Sequence, residues 1–264
     1  MAPSFEQLIA DYKNTAAHND CIFRQLSELA WADPHLCAHR RHIEENKLGF
    51  GDAAFHAMWL RLLDHASCRF GAIRALEIGV FKGQVISLWA MIARQWNIDI
   101  QISAITPLSG HPLPRSRFAN WFRAYFDPNF REQLRNGNFY AEADYLNIIK
   151  QLFERFDVNI DAVSLYHGYS TDQRILEKVA SSTYHVVYID GDHTFQGALH
   201  DFKVFGPKVV KGGWLVADDA GYFLPGNDFW KGHEAVSRAA TILPDMGFQN
   251  VLNIGHNRIY ERVG

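Results

Sequence analysis

The stretch "IRALEIGVFKGQVISLWAMIARQWNIDIQISAI", residues 73–105, decides the fold of this chain. Its two ends, "IRALEIGV" and "IDIQISAI", are short apolar runs that predict strands, and "GQVISLWAMIARQW" between them predicts a helix. A strand, a helix and a second strand in this order predict a βαβ unit with parallel strands and a right-handed crossover.

The same alternation continues toward the end of the chain. Further strands are predicted at "DAVSLYHG", "YHVVYIDGD" and "GGWLVADD", and "FQNVLNIGHNRIYERV" predicts two strands joined around Gly255 as an antiparallel hairpin. The sequence therefore predicts an α/β fold with a mainly parallel sheet. Such a sheet binds its ligands beyond the carboxyl ends of its strands.

The sheet domain is expected to span residues 71–264 and to carry two additions. The pattern of residues 1–70 predicts helices. The first of them is expected to begin after Ser4, an N-cap residue with Gln7 three positions later. We interpret them as a helical cap or arm, which would support a homodimer or a higher homo-oligomer. Residues 107–143 are rich in proline, arginine and aromatic residues and are too long for an ordinary connection, so they predict a lid-like insertion.

Composition narrows the class of protein. The 264 residues are 48% apolar and 14% aromatic, which is enough for one domain with additions. A net charge of −3 provides no strong field for nucleic acid or an anionic membrane, so neither partner is expected. No apolar run approaches the roughly 18 residues of a membrane span, and three widely spaced cysteines suit a reducing compartment. We therefore expect a cytoplasmic protein.

Histidines cluster in the helical part, where His35, His39 and His42 surround Cys37. The interleaved "RRHIEEN" is charged on all sides. We interpret this segment as a solvated helix face rather than a metal site.

The first strand of the predicted sheet ends in Glu77, Gly79 and Gly83, spaced as ExGxxxG. Glycines at this turn let the backbone approach a ligand, and the next helix presents free N–H groups to it. The dinucleotide fingerprint would need further glycines at Phe81 and Gln84, so the spacing disfavours a bound pyrophosphate. An acid before the first glycine instead suits a cationic ligand.

Carboxylates end two neighbouring strands of the predicted sheet. Asp190 follows "VVYI", and Asp218 and Asp219 follow "GGWLVA". These three groups would repel one another and raise each other's pKa unless a cation neutralised them. Because all are hard oxygen ligands, they predict a Mg²⁺ site. In the alternative, Asp218 caps a loop, Asp219 faces water and no ion binds.

These motifs together resemble a known family. "LEIGVFKGQ" and, about 110 residues later, "VVYIDGDHTFQGALHDFKVFGPKVVKGGWLVADD" are similar to the class I S-adenosylmethionine-dependent methyltransferases. Within them the chain resembles the branch of macrocin-type sugar O-methyltransferases and cephalosporin hydroxylase-like proteins. The resemblance covers roughly residues 73–240. It implies a Rossmann-like methyltransferase sheet and methyl transfer to a hydroxyl of a sugar or glycosylated natural product, a small-molecule acceptor.

The resemblance also implies a set of site residues. Matching positions would place Glu77, Gly79 and Gly83 at the methionine end of S-adenosylmethionine, and Gly168 and Ser170 near its adenine. The residues matching Asp190, Asp218 and Asp219 ligate a divalent metal in the branch, and Asp190 would also lie beside the cofactor.

One position departs from the pattern of the family. The acid that usually grips the ribose at the end of the second strand is replaced by Thr106, whose hydroxyl makes a weaker hydrogen bond. Asp144 is an alternative ribose ligand from the later "EADY".

The remaining groups of "VVYIDGDHTF" are candidates for the catalytic base. A hydroxyl becomes a good nucleophile only when a base takes its proton or a metal lowers its pKa. His193 is favoured by its chemistry and Asp192 by the resemblance. Two other functions stay open, a metal-dependent hydroxylase-like enzyme and a non-catalytic protein that binds the cofactor.

Overall fold

A computed structural model describes residues 3–264, so the first two residues of the predicted helical arm lie outside it. The strands are β1 (Ile73–Ile78), β2 (Ile100–Thr106), β3 (Val163–His167), β4 (Tyr184–Ile189), β5 (Val209–Ala217), β6 (Phe248–Ile254) and β7 (Asn257–Arg262). Each predicted strand segment overlaps one of them, although β2 ends one residue later than predicted and β5 begins three residues earlier, and the predicted hairpin contains β6 and β7.

All seven strands form one sheet in the order β3-β2-β1-β4-β5-β7-β6. The pairs among β1 to β5 are parallel, and β7 runs antiparallel to both β5 and β6. The α/β, Rossmann-like prediction with a C-terminal antiparallel hairpin is therefore confirmed. Because the strand order reverses between β1 and β4, the carboxyl ends of these two strands flank the crevice in which such sheets bind ligands.

Helices cover both faces of the sheet. Their bounds are α1 (Phe5–Asp11), α2 (Ala16–Ala32), α3 (Pro34–Asn46), α4 (Ala53–Phe70), α5 (Gln84–Trp96), α6 (Arg117–Phe126), α7 (Pro128–Asn136), α8 (Tyr145–Arg155), α9 (Gln173–Lys178), α10 (Phe195–Phe205) and α11 (Glu234–Ala239). Helices α1 to α5 and α8 pack on one face, and α9 to α11 pack on the other. None of the helices described in residues 3–264 combines the length and apolarity needed to cross a bilayer.

The N-terminal helices begin where the sequence predicts. Ser4 caps α1, its hydroxyl accepts a hydrogen bond from the Gln7 N–H, and the Gln7 side chain accepts one from the Ser4 N–H. Helix α4 lies against the sheet, with Trp59 packed edge-on to Trp89 of α5 and Tyr188 of β4. These helices share one hydrophobic core with the sheet, and the boundary at residue 70 stays a prediction.

The interpretation of "RRHIEEN" and its surroundings as a solvated face is wrong for one side of α3. His39 is fully buried, and its two ring nitrogens lie 3.0 Å from His56 Nε2 and from Ser87 Oγ. Arg40 is buried too and donates to the backbone oxygen of Gly51. Because α4 and α5 cover this side of α3, the polar residues form a buried network instead of meeting water.

The insertion at residues 107–143 contains α6 and α7. Helix α7 lies over the carboxyl edge of the sheet, where Asn136 donates to the backbone oxygen of His193 at 2.6 Å. Helix α6 packs against α7 and exposes a run of aromatic side chains, namely Phe118, Trp121, Phe122, Tyr125 and Phe126.

Candidate active site

The three aspartates predicted to ligate a metal all lie at the carboxyl edge of the sheet, where Asp218 and Asp219, but not Asp190, belong to a group of ligand atoms within 4.8 Å of one another. The N–H of Asp190 donates to the end of β1 at Ile78, and the N–H of Asp218 donates to the end of β4 at Ile189, at 2.9 and 3.0 Å. These backbone hydrogen bonds continue the pairing of the strands and hold the loops that follow β4 and β5 side by side. The side chain of Asp219 is only 6% exposed, so it does not face water as the alternative would require.

The charges of this cluster perturb one another. Burial raises the pKa of Asp190 well above its usual range, and the charges of Asp218 and Asp219 raise it further. Burial and the charge of Asp218 raise the pKa of Asp219 to about 6, against the opposing charges of His193 and His256. Burial also opposes ionisation of Asp218, but His256, Asp190 and His193 together outweigh this effect and lower the pKa of Asp218. Such a cluster gains from a cation that displaces its protons.

Two histidines flank Asp219 on one side. The Nε2 atoms of His193 and His233 lie 3.4 and 3.5 Å from Asp219 Oδ2, and their rings stack at 4.8 Å. His193 Nε2 is also 3.4 Å from Asp190 Oδ1. Burial and the charge of His193 lower the pKa of His233 to about 4, so His233 is neutral at neutral pH. His233 precedes α11, and its side chain thus reaches the acidic cluster.

A third histidine, His256, approaches from the other side and was missed by the sequence reasoning. Its Nε2 lies 3.3 Å from Asp218 Oδ1 and 3.6 Å from Asp219 Oδ1. It occupies the turn between β6 and β7, and its backbone oxygen accepts the N–H of Ala220. The local sequence carries no signal for this placement, because it depends on the strand order, in which β6 runs parallel to β5 and its turn lies at the same edge of the sheet as the acids.

Glu77 lies beneath this edge and keeps one oxygen without a partner. The residue is 1% exposed, its carboxylate accepts the backbone N–H of Ile86, and its Oε2 makes no hydrogen bond to the described residues. Burial raises the pKa of Glu77 well above its usual value, and the charge of Asp190 adds to this shift. An orphaned buried carboxylate oxygen fits the amino group of a cationic cofactor.

The glycines of the first turn are required by the fold itself. Gly79 has φ +97°, and a Cβ there would lie 1.7 Å from the backbone oxygen of Asp190. Gly83 has φ +91°, and its Cβ would lie 2.9 Å from Ile149. The close approach at Gly79 joins the β1 loop to the aspartate loop, so the two halves of the candidate site are mechanically linked.

The predicted ribose and adenine contacts lie along the next two strand ends. Thr106 ends β2, is buried, and its hydroxyl accepts the N–H of Leu108 at 3.2 Å. Gly168 follows β3, and its N–H donates to the backbone oxygen of Thr106. The Ser170 side chain bonds to Asp201. Asp144, the alternative ribose ligand, caps α8 by accepting the N–H of Asn147.

Comparison with known proteins identifies the family. Residues 76–220, more than half of the chain, match a family model described as "Methyltransferase domain". The chain belongs to this methyltransferase family. The prediction of a class I, S-adenosylmethionine-dependent methyltransferase is thereby confirmed, and no curated protein matches the sequence at a significant level.

Solved methyltransferases share the fold at low identity. A putative caffeoyl-CoA O-methyltransferase from Staphylococcus aureus has a TM-score of 0.58 and 16% identity, with 93% of this chain and 100% of that chain covered. The O-methyltransferase from Bacillus cereus in complex with S-adenosylhomocysteine has a TM-score of 0.55 and 12% identity, with 93% and 98% covered. TomG from Streptomyces achromogenes is an O-methyltransferase involved in tomaymycin synthesis and was solved with S-adenosylmethionine. It has a TM-score of 0.52 and 14% identity, with 94% of this chain and 98% of that chain covered.

The insertion of the methyltransferase holds Asp192 by its carboxylate. Asp192 Oδ1 accepts from Asn138 Nδ2 at 2.8 Å and from the Thr194 N–H at 3.0 Å, and the Thr194 hydroxyl donates to Oδ2 at 3.0 Å. These bonds fix the loop that carries His193. The two base candidates therefore differ, because Asp192 is occupied by the protein and His193 points at the acids.

Aromatic side chains of the methyltransferase border the acidic cluster. Tyr140 of the insertion packs on Phe81 at 4.9 Å, and burial, followed by the charge of Asp190, raises the pKa of the Tyr140 hydroxyl. Trp230 stands edge-on to His233 and His256, both at 5.1 Å, and remains 54% exposed. An accessible indole beside the acids offers a flat surface for an acceptor.

Proposed function

We propose that this methyltransferase transfers a methyl group from S-adenosylmethionine to a hydroxyl of a small molecule, next to a bound divalent cation. One observation carries the proposal. The orphaned carboxylate oxygen of Glu77 and the cluster of Asp190, Asp218 and Asp219 lie at one edge of the sheet, joined by the contact of Gly79 with Asp190. A cationic methyl donor and an acceptor hydroxyl would thus meet between them.

The cofactor end of the site supports this role through Glu77. Its buried oxygen would accept a hydrogen bond from the amino group of S-adenosylmethionine, while the Ile86 N–H holds the rest of the carboxylate in place. When bound, S-adenosylmethionine supplies an electrophilic methyl group, to which the acceptor oxygen bonds as the carbon–sulfur bond breaks. Thr106 ends β2, and Gly168 and Ser170 follow β3, where the ribose and adenine would extend from the crevice.

The acceptor end of the site needs a base and a neutralised acidic cluster. A divalent cation on Asp190, Asp218 and Asp219 would supply Lewis acidity that lowers the pKa of an acceptor hydroxyl. His193 then takes the proton through Nε2, which already faces Asp190 and Asp219 at 3.4 Å. Asp192 instead keeps the loop in place, because Asn138 and Thr194 occupy its oxygens.

The walls of the site support one class of acceptor. Trp230 and Tyr222 are exposed aromatic side chains beside the loop that follows β5, and such rings stack on the apolar face of a sugar. We propose a sugar or glycosylated natural product as the acceptor. Phe229, which lies next to Trp230 in the chain, is buried against Phe23 and belongs to the core.

A second function, a metal-dependent hydroxylase-like activity, is favoured by one observation. His193, Asp219 and His233 place their ligand atoms within 4.8 Å of one another. Two histidines and one carboxylate form the facial triad that holds Fe²⁺ in oxygenases. Loading the protein with Fe²⁺ and a sugar panel under oxygen distinguishes the two functions, since oxidation without methyl transfer would support the hydroxylase.

The experiment for the proposed function is calorimetry with S-adenosylhomocysteine, followed by transfer of a labelled methyl group from S-adenosylmethionine to a panel of sugars, glycosides and phenols. Saturable heat and label on a hydroxyl acceptor are expected. A His193→Gln variant should bind S-adenosylhomocysteine with unchanged affinity and lose most methyl transfer. No heat at millimolar ligand would refute the assignment of the cofactor.

A further inference from the structure

The turn between β6 and β7 brings a buried imidazole to the acidic cluster. The side chain of His256 is 4% exposed, and its Nε2 faces one oxygen of Asp218 and one of Asp219. Both carboxylates are themselves nearly buried, and Asp218 Oδ1 makes no hydrogen bond to the described residues. The imidazole, Asp218 and Asp219 keep their ligand atoms within 4.8 Å of one another.

The distances in this group are close to the edges of a metal coordination shell. Two ligands at about 2.1 Å from one ion lie about 3.0 Å apart at octahedral angles and about 3.4 Å apart at tetrahedral angles. The observed separations from His256 Nε2 are 3.3 and 3.6 Å. A charge-assisted hydrogen bond between imidazolium and carboxylate is shorter, about 2.7–2.9 Å.

The ring of His256 is also held in a fixed orientation. Phe55 and Trp230 stand edge-on to it at 4.6 and 5.1 Å. The backbone oxygen of His256 accepts the N–H of Ala220, the residue that follows Asp219. A ligand fixed by packing and tied to the loop of its partner ligands needs little reorganisation to bind an ion.

We propose that His256 is a metal ligand alongside Asp218 and Asp219, and that the site therefore takes a first-row transition ion such as Mn²⁺ or Co²⁺ in preference to Mg²⁺. Mg²⁺ prefers oxygen ligands, whereas imidazole suits transition ions. The sequence predicts Mg²⁺ because it reveals only the carboxylates. This inference rests on the proposed divalent-cation site, adds His256 to its ligands and changes its ion.

The test uses the full chain, stripped of metal with EDTA. Calorimetry with Mn²⁺, Co²⁺ and Mg²⁺ should give Mn²⁺ and Co²⁺ affinities at least about tenfold above that of Mg²⁺. Pulsed electron paramagnetic resonance of the Mn²⁺ complex should show ¹⁴N coupling from one imidazole. The coupling should vanish in His256→Gln, with Mg²⁺ affinity changed less than Mn²⁺ affinity.

The matched control is His233→Gln, because His233 lies 3.5 Å from Asp219 but outside the trio. It should keep the ¹⁴N coupling. Binding of S-adenosylhomocysteine by each variant reports a folded protein and tests the proposed cofactor separately. If S-adenosylhomocysteine binds while Mn²⁺ shows no ¹⁴N coupling, or the coupling survives in His256→Gln, His256 is not a ligand and only this inference fails.

Discussion

Replacing Glu77 by glutamine tests the cofactor end of the site, because it is expected to move stability and affinity in opposite directions. Glutamine keeps the shape of the side chain and an oxygen for the Ile86 N–H, but it removes the charge. Burial raises the pKa of Glu77 well above its usual value, so the folded state binds a proton that the unfolded state releases above about pH 4.3. Stability therefore falls as pH rises from that value through the raised pKa.

The Glu77→Gln variant carries no ionisable group at this position and therefore escapes the loss of stability that ionisation of buried Glu77 causes. At pH 7 without ligand, Glu77→Gln should unfold at a higher urea concentration than the wild type, and the difference should vanish near pH 4. The affinity for S-adenosylhomocysteine should fall, because a hydrogen bond to a charged group contributes about 1.5–3 kcal/mol. That loss corresponds to a Kd about 10- to 150-fold higher.

Urea unfolding followed by circular dichroism and calorimetry with S-adenosylhomocysteine measure the two effects. Glu28→Gln is the control, since Glu28 is exposed on α2 and should change neither quantity. A Glu77→Gln protein that binds S-adenosylhomocysteine within twofold of the wild type would refute the role assigned to Glu77. Lower stability at pH 7 would refute the account of its buried charge.

Three further predictions concern the link between the loops, the cation and the buried histidines. Gly79→Ala should lower the free energy of unfolding by about 3 kcal/mol or more, because its Cβ would strike the backbone of Asp190. The control is Gly137→Ala, at φ +71° with open space around it, which should lower the free energy of unfolding by about 1 kcal/mol in the same urea experiment. Equal losses in the two variants would contradict the clash at Gly79. Mn²⁺ at about 100 times its Kd should add about 2.7 kcal/mol to the free energy of unfolding and raise the Tm by about 5–10 °C. Asp218→Asn or Asp219→Asn should abolish this shift in Tm. A shift that persists in both variants would place the ion elsewhere. Burial lowers the pKa of His39 to about 3 and that of His56 well below its usual value. The unfolded state therefore binds more protons below about pH 6.5, and stability should fall by about 1.4 kcal/mol per pH unit for each histidine as pH drops. In urea unfolding of His39→Gln at several pH values, the free energy of unfolding should depend on pH with a slope smaller by one proton than in the wild type. An unchanged slope would show that His39 does not cause this pH dependence.

The sequence predicts the fold well because the features that determine it are local. Apolar runs and intervening helices mark the strands, and parallel strands bring Glu77, Asp190 and Asp218 to one edge regardless of their separation along the chain. The orphaned oxygen of Glu77 agrees with the expected cationic ligand, although the binding itself stays a prediction.

The parts that sequence reasoning missed depend on contacts between distant elements. His256 joins the acids only because β7 inserts between β5 and β6. The occupied oxygens of Asp192 depend on Asn138 in the insertion. His39 is buried because α4 and α5 cover its side of α3, and nothing in the charged local sequence reports that packing.

A crystal structure of the full chain with S-adenosylhomocysteine and Mn²⁺ tests the central claim most directly. We predict an anomalous peak within about 2.3 Å of carboxylate oxygens of Asp190, Asp218 and Asp219, and the amino group of S-adenosylhomocysteine within hydrogen-bonding distance of Glu77. Absence of the anomalous peak from these aspartates, or S-adenosylhomocysteine bound away from Glu77, would contradict the account.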